Sequence, residues 1–478
     1  MAAGSTNNSA NGIAGSADAI QVKPGRHREA TLYHALAGAG AGDGRTLEQL
    51  RADALSAYET SELPVWRRSG FWTTSLTSLD LDALATDLDA SAPGGNGPTD
   101  GVPEVVSRTL PDRPHAGRIV QNAGTVVHVE LDPELRARGV IVCSLQDAFR
   151  EHADLVEPHY SKRLTNDRHK LEAANAAFWT GGAFVYVPPG VVVEDPLEIV
   201  YAIDRPGVAQ YGRTLIIGAR SSEFRVHEYD LAEDFDGQAL HAGAFECYLH
   251  DGARCRLAQY QDWDPGHRGE VYDVSTRFVG VGRDAYCHWL PSLLGGHLVR
   301  QHLELAVSEP GGDMAFRGLF FTERDEHLDA FAVDLHETGP SGGDVHWRGA
   351  ATGESRASFE GLIQIDPGAQ QTHTYLQIHT MMLSPKARLD AIPSVLVSAD
   401  DVSASHGGTV GELDEAAIFY MQSRGLDRPT AVRVLVEGFF EPVLAELRDE
   451  PLEELIRTKL AAKLASARED IEAYATSR

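Results

Sequence analysis

Histidine and cysteine are the residues of this chain best suited to bind a metal ion, and one histidine has a distinctive position. The chain has 478 residues, with 20 histidines and four cysteines. His406 lies where a β-rich region gives way to a helical tail, after Ser405 and before Gly407 and Gly408. Small neighbours let the backbone of another chain approach closely. A histidine beside such neighbours can be a metal ligand or a proton carrier, with a purely hydrogen-bonded histidine as the alternative.

The cysteines and the remaining histidines show no comparable pattern. The cysteines are Cys143, Cys247, Cys255 and Cys287. No C-x-x-C pair occurs among them, which argues against zinc ribbons and ferredoxin-type cluster sites. We expect the last three to be small buried hydrophobic residues. Five histidines of the β-rich region are expected to be surface or hydrogen-bonded residues rather than ligands: His327, His336, His346, His373 and His379.

Composition and motifs exclude several other functions. The net charge of −28 argues against binding to nucleic acid or to anionic membrane surfaces. There is no P-loop sequence and no H-E-x-x-H. No run of about 18 apolar residues and no signal-peptide pattern occurs. With so few cysteines, we expect a protein of the reducing cytoplasm.

The part of the chain before the β-rich region is predicted to be mixed. Residues 1–25 are rich in Ala, Gly, Ser and Asn and are predicted to be disordered. Residues 26–115 are predicted to be a helical region with a Gly/Pro-rich linker, and residues 116–182 a mixture of hairpin and helices. The predicted elements are a helix over 47–58, the linker over 91–101, a hairpin over 118–131 that 139–143 continues, and helices over 145–152 and 170–179.

Residues 183–411 are predicted to form a succession of short β-strands. Short β-branched or aromatic runs recur there, and no helix longer than two turns is expected. A β-sandwich or barrel and a solenoid of stacked coils both fit this pattern, although the Asn-Gly turns typical of hairpins are missing. The run over 392–397 is the last clear strand. Asp400 to Val402 then turn into one more extended piece, which the segment 405–409 is predicted to end.

Residues 412–478 are predicted to form a C-terminal helical domain. A first helix over 413–424 should end at Gly425, because glycine is favoured at helix C-termini. Asp427 and Asp449 should cap a second and a third helix. Such an array can cover the open end of a solenoid.

The segment from 400 to 425 resembles the signature of the SufB/SufD family, scaffold proteins of the SUF iron–sulfur cluster assembly system. The residues that carry the resemblance are Asp400-Asp401-Val402, Ser405-His406-Gly407, Thr409-Val410-Gly411, Leu413-Asp414-Glu415, Phe419-Tyr420 and Ser423-Arg424-Gly425. Gly407 follows the histidine as in the SufD branch, whereas the SufB branch has an acidic residue there. Ala404 stands where most SufD proteins carry cysteine.

The resemblance implies a fold and a shared chemistry. It implies a mainly β protein with a right-handed parallel β-helix core, an N-terminal mixed region and C-terminal helices, which decides between the two architectures above. The position of the essential SufB cysteine, just after Gln377, is occupied by Ile378. This chain would therefore not hold a cluster alone. Instead, His406 would be a shared ligand for a transient iron–sulfur cluster or iron at a partner interface, and a reduced flavin could bind the complex.

The resemblance also implies partners. A SufB-like subunit would bind the C-terminal end of the β-helix at Ser405, His406 and Gly407, and a SufC-like ABC ATPase would bind somewhere on the C-terminal helical domain. Without SufB, a homodimer could form. The chain would be a non-catalytic scaffold. Two alternatives are a SufB-like homodimeric scaffold, which Ile378 and Gly407 disfavour, and a polysaccharide-active β-helix enzyme, for which pairs such as Asp400-Asp401 are too isolated.

Overall fold

The structure is a computed structural model, and it describes residues 46–68, 72–85, 101–165, 168–266, 268–468 and 471. The predicted disorder of residues 1–25 and nearly all of the linker over 91–101 lie outside these residues. The domain boundaries expected from the sequence stay predictions, and the elements below are given as the structure has them.

The elements before the central strands are short. They are α1 (Leu47–Thr60), β1 (Val65–Arg68), β2 (Trp72–Ser75), a 3-10 turn (Leu81–Ala83), α2 (Glu104–Thr109), β3 (Gly117–Asn122), β4 (Thr125–Leu131), α3 (Pro133–Ala137), β5 (Ile141–Cys143), α4 (Leu145–Glu151), α5 (Ala153–Val156) and α6 (Lys170–Phe178).

The central strands form a parallel β-helix of about seven coils. They are β6 (Ala183–Val187), β7 (Leu197–Ile203), β8 (Ala209–Gln210), β9 (Arg213–Gly218), β10 (Glu223–Ala232), β11 (Gly237–His241), β12 (Ala244–Leu249), β13 (Arg254–Asp262), β14 (Gly269–Val281), β15 (Tyr286–Leu293), β16 (Leu298–Val307), β17 (Asp313–Thr322), β18 (His327–His336), β19 (Ser341–Ala351), β20 (Arg356–Ile365), β21 (Thr372–Met382), β22 (Arg388–Val397) and β23 (Val402–Glu412).

Two facing sheets make up the β-helix, and from β12 onward successive strands join alternate sheets. The ten-stranded sheet has the order β23-β21-β19-β17-β15-β13-β10-β7-β3-β4, and the eleven-stranded sheet contains β22-β20-β18-β16-β14-β12-β9-β6-β5, with β11 and β8 beside it. No helix interrupts the described residues between β6 and β23. The β-helix expected from the resemblance is thus confirmed, and the sandwich is wrong.

Stacked side chains fill the interior of the β-helix. Trp289 lies on Phe316 with ring centroids 4.9 Å apart and an interplanar angle of 4°. Close packing also dictates a glycine, because a Cβ atom at Gly349 would lie 1.9 Å from Cζ of Phe320. Alternate residues of each strand point into this space, so inward and outward positions follow a period of two.

The segment before the strands closes one end of the β-helix. β3 and β4 form the predicted antiparallel hairpin, and β3 also pairs with β7 in parallel. The prediction that residues 139–143 continue the hairpin is wrong. That stretch contains β5, which pairs antiparallel with β6 in the other sheet, because α3 carries the chain across.

The C-terminal helices are α7 (Glu415–Ser423), α8 (Arg428–Leu444) and α9 (Glu450–Ser466), capped by Asp414, Asp427 and Asp449. They form one apolar cluster with outward residues of the ten-stranded sheet, among them Phe321 and Phe440. The expectation that they cover the open end is therefore wrong, because their apolar faces are buried against the side of the β-helix. No described helix is both long and apolar enough to span a membrane.

Candidate functional site

The histidine singled out by the sequence lies within the last strand of the β-helix rather than at its end. β23 runs through His406 to Glu412, and α7 begins only at Glu415. The expectation that the segment 405–409 ends the strand region is therefore wrong. In the register of the parallel pair, His406 lies opposite Leu376 of β21.

This register places His406 on the inner face of the sheet. Paired residues of neighbouring strands share a face, and Leu376 belongs to the interior core. Val402 and Ala404 are an even number of residues from His406 and therefore lie on the same face of the strand; they also pack partly against that core. Residues on this inner face have what we call inward parity, and those on the other face outward parity. His406 itself is exposed because none of the described residues forms a further coil over this end. Ser405, one residue away, therefore lies on the outer face of the sheet.

The open end of the β-helix consists of two edge strands, β22 and β23, one from each sheet. Across this end, a Cβ atom on Gly408 would lie 3.2 Å from Cδ of Pro393. Apolar residues are exposed beside His406: Val395 is 45% exposed, Val397 42% and Val410 49%. All three have inward parity, since they pair with inward residues of the coil below. The residues exposed at this end are thus inward-facing ones that a further coil would bury.

His406 is free to accept a ligand at this end. Within the described part of the chain, its side chain forms no hydrogen bond and no ion pair. Gly407 has outward parity, and a Cβ atom there would meet nothing within 4 Å. An imidazole nitrogen beside open space suits a metal ion or a proton that another chain helps to hold.

Most of the other candidate histidines of the β-rich region have protein partners. Four of them are hydrogen-bonded or paired: His327 to Thr74 (3.1 Å), His336 to Ser341 (2.8 Å), His346 to Asp344 (3.0 Å) and His379 to Thr409 (2.8 Å). His373 is exposed. Among the described residues, no group of three or more His, Cys, Asp or Glu side chains could hold a metal ion.

Three cysteines lie inside the β-helix. Cys247, Cys255 and Cys287 are fully buried in the interior core, as expected of small hydrophobic residues. Cys255 lies opposite Cys287 in neighbouring strands. Burial raises the pKa of both of these thiols well above the usual value, and the neighbouring thiol of Cys247 adds to the effect. At neutral pH these thiols are therefore protonated and poor metal ligands.

The interior also contains a charged cluster that sequence analysis missed. Arg277 contacts Glu228 at 2.5 Å and Asp230 at 3.4 Å, and all three are buried. Burial raises the pKa of Asp230 well above its usual value and that of nearby Asp273 to about 6. The available signal was the alternation of Asp273, Ser275 and Arg277 along β14, but alternating polar residues are typical of a strand with one face in solvent. Enclosed carboxylates of this kind do not provide the accessible acid pair of a polysaccharide-active enzyme.

Comparisons with known proteins agree with this architecture. Residues 201–439 match the family described as SUF system FeS cluster assembly, SufBD core domain, and residues 39–199 match the SufBD protein N-terminal region. The iron-sulfur cluster assembly protein SufB of Bacillus subtilis (strain 168) is 25% identical over 394 residues, which cover 81% of this chain and 84% of that protein. An iron-sulfur cluster assembly SufBD family protein of Staphylococcus epidermidis is 25% identical over 415 residues, 85% of this chain and 87% of that protein.

Proposed function

Because the chain belongs to the SufBD family of the SUF iron–sulfur cluster assembly system, we propose that it is a SufD-like scaffold subunit that works with a SufB-like subunit and a SufC-like ATPase. Two positions support the SufD branch. Gly407 follows the histidine, and Ile378 replaces the cysteine expected of the SufB branch. The iron–sulfur cluster is the cargo of this assembly rather than a resident cofactor.

The observation that carries the proposal is the uncovered end formed by β22 and β23. Edge strands present unpaired N–H and C=O groups that readily pair with another chain. Here three exposed valines, 395, 397 and 410, lie on the edge strands, and burying their side chains in an interface would be favourable in free energy. The C-terminal helices lie at the side of the β-helix and leave this end open. We assign it to the SufB-like partner.

His406 gives this interface its chemical role. Its inward parity directs the imidazole toward the space that a second β-helix end would enclose. Ala404, two residues earlier on the same face, offers no thiolate, and three of the four cysteines are enclosed in the core. The partner would supply sulfur ligands, and His406 would supply a nitrogen ligand to iron or to the nascent cluster.

The SufC-like ATPase would bind at the exposed side of the C-terminal helices. Phe419 and Tyr420 on α7 are 73% and 58% exposed, which is unusual for adjacent aromatic residues. Deleting residues 412–478 would not test this, because α8 and α9 cover apolar residues of the ten-stranded sheet. The double substitution Phe419→Ser and Tyr420→Ser should instead abolish copurification of the ATPase while the melting temperature stays unchanged. Normal copurification would refute the assignment.

The role of His406 is tested in the complex coexpressed with the SufB-like and SufC-like proteins. His406→Ala should leave assembly and melting temperature intact, because the side chain is exposed, and should abolish iron and acid-labile sulfide bound per complex. A matched variant, Ser405→His combined with His406→Ser, keeps the composition but moves the imidazole to the outer face, and it should fail as well. Wild-type cluster content in either variant would refute the ligand role.

The partner interface is tested by a charge at the open end. Val410→Glu should abolish binding of the SufB-like subunit, because a carboxylate would be buried without a partner. Val434→Glu is the control, since Val434 is similarly exposed at 43% but lies on α8. If size-exclusion chromatography shows that the isolated chain forms a homodimer broken by Val410→Glu, the SufB-like homodimer gains support. If Val410→Glu binds normally, the interface lies elsewhere.

A further inference from the structure

Two histidines meet on the surface away from the open end of the β-helix, beside β12, which four strands separate from the edge strand β22. His159 follows α5, and His250 lies in the turn after β12. Their Nε2 atoms are 3.1 Å apart, and the ring planes are nearly perpendicular, at 88°. The two residues are 91 positions apart in the sequence, so only the fold brings them together.

The tautomer of His159 is set by the backbone. Its Nδ1 lies 2.8 Å from the carbonyl oxygen of Leu155. A carbonyl oxygen can only accept a hydrogen bond, so Nδ1 carries the proton and donates it. In the neutral ring, Nε2 then holds a lone pair, and this atom faces His250. Metal-binding histidines typically donate their other ring N–H in this way, which orients the ring and raises its basicity.

The separation of the two Nε2 atoms matches joint coordination of one ion. Imidazole nitrogens bind Zn²⁺ at about 2.0–2.1 Å, so two of them on one ion are about 2.9 Å apart at a right angle and about 3.3 Å apart at the tetrahedral angle. The observed 3.1 Å lies between these values. His250 is exposed, so its ring can turn its lone pair toward the ion.

The surroundings keep both rings neutral. Burial lowers the pKa of His159, and His250 and Lys162 lower it further, against the opposing hydrogen bond to Leu155. Partial burial and then Lys162 lower the pKa of His250, while Asp251 raises it. Neutral imidazole is the form that binds metal ions. Lys162 also repels any cation bound here, so it weakens the site.

We propose that His159 and His250 bind one divalent transition-metal ion of the Zn²⁺, Ni²⁺ or Cu²⁺ class through their Nε2 atoms. Water completes the coordination, because the described residues bring no third His, Cys, Asp or Glu ligand to the pair. The site is separate from the open end of the β-helix, and it does not depend on the scaffold role proposed above.

The test is calorimetric titration of the full-length chain, without an affinity tag, with Ni²⁺ and with Zn²⁺. His250→Gln should weaken binding of one ion at least about tenfold, while His373→Gln, which removes an exposed histidine elsewhere, should bind like wild type. Lys162→Ala should tighten binding, because it removes the repelling charge; adventitious binding to surface histidines would not respond.

Two results would overturn the proposal. One is equal affinity and stoichiometry for the wild type and His250→Gln, and the other is the absence of measurable binding to the wild type. Since the isolated chain is used, neither result bears on partner binding or on His406.

Discussion

Glu304 of β16 provides a stringent test of the electrostatics of this fold. Its side chain is 1% exposed, and neither carboxylate oxygen has a hydrogen-bond partner within the described part of the chain. Burial raises the pKa of Glu304 to about 7, although the charges of Arg163 and Arg168 act in the opposite direction. Ionising the Glu304 carboxyl group in the folded state therefore costs free energy.

The sign and size of the effect follow from proton linkage. Because the folded pKa exceeds the unfolded value of 4.5, the native state binds more protons between pH 4.5 and about 7, and stability falls as the pH rises through this window. A rise of about 2.5 pKa units corresponds to about 3 kcal/mol. Glu304→Gln resembles the protonated carboxyl at every pH. It should therefore stabilise the protein by about this amount at pH 8 and change little at pH 4.5.

A second, largely enclosed glutamate supplies a control of opposite sign. Burial alone would raise the pKa of Glu172, but the charges of Arg168 and His169 and the hydrogen bonds from Thr276 and Arg168 lower it to about 2. The ionised form of Glu172 stabilises the fold above pH 4.5, and this stabilisation is lost as the pH falls toward 2. Glu172→Gln should therefore destabilise the protein at pH 8.

Urea denaturation followed by circular dichroism at pH 4.5 and pH 8 measures both variants. If Glu304→Gln were destabilising at pH 8, or if its effect were the same at both pH values, the reasoning from burial would be refuted.

Two further changes test packing. Lys463 of α9 is 1% exposed and lies 3.1 Å from Glu326. Lys463→Met should destabilise the fold by about 3 kcal/mol, because it removes the nearer cation from this buried carboxylate and leaves it with Arg324 at 3.4 Å. A melting temperature unchanged from wild type would contradict this. Gly349→Ala should cost about 1–3 kcal/mol or more because of the clash with Phe320. The matched Gly438→Ala, in α8 with nothing within 4 Å of the added Cβ, should stabilise slightly in the same denaturation assay.

Local sequence patterns predicted most helices and many strands, but they did not predict the architecture. The caps Asp427 and Asp449 are used as expected, because capping depends on the few residues around a helix start. The choice between sandwich and β-helix needed the family resemblance. Outward residues of β16 and β18, such as Leu298 and Phe331, are buried in an apolar cluster outside the β-helix. A strand buried on both sides loses the clean alternation that marks a strand in sequence.

At the candidate site, too, local sequence patterns did not predict how the chain is arranged in space. The sequence singled out His406 as a candidate but did not predict which face of the strand it lies on. Strand boundaries predicted from sequence are uncertain by more than the single residue that separates the two faces. Direction follows from the register with Leu376, a contact between coils 30 residues apart. It matters because an outward imidazole would lie on the side of the β-helix, whereas an inward one lies at its open end. If two such ends meet, the inner faces become a shared enclosed space, in which one nitrogen ligand from this chain can join sulfur ligands from its partner.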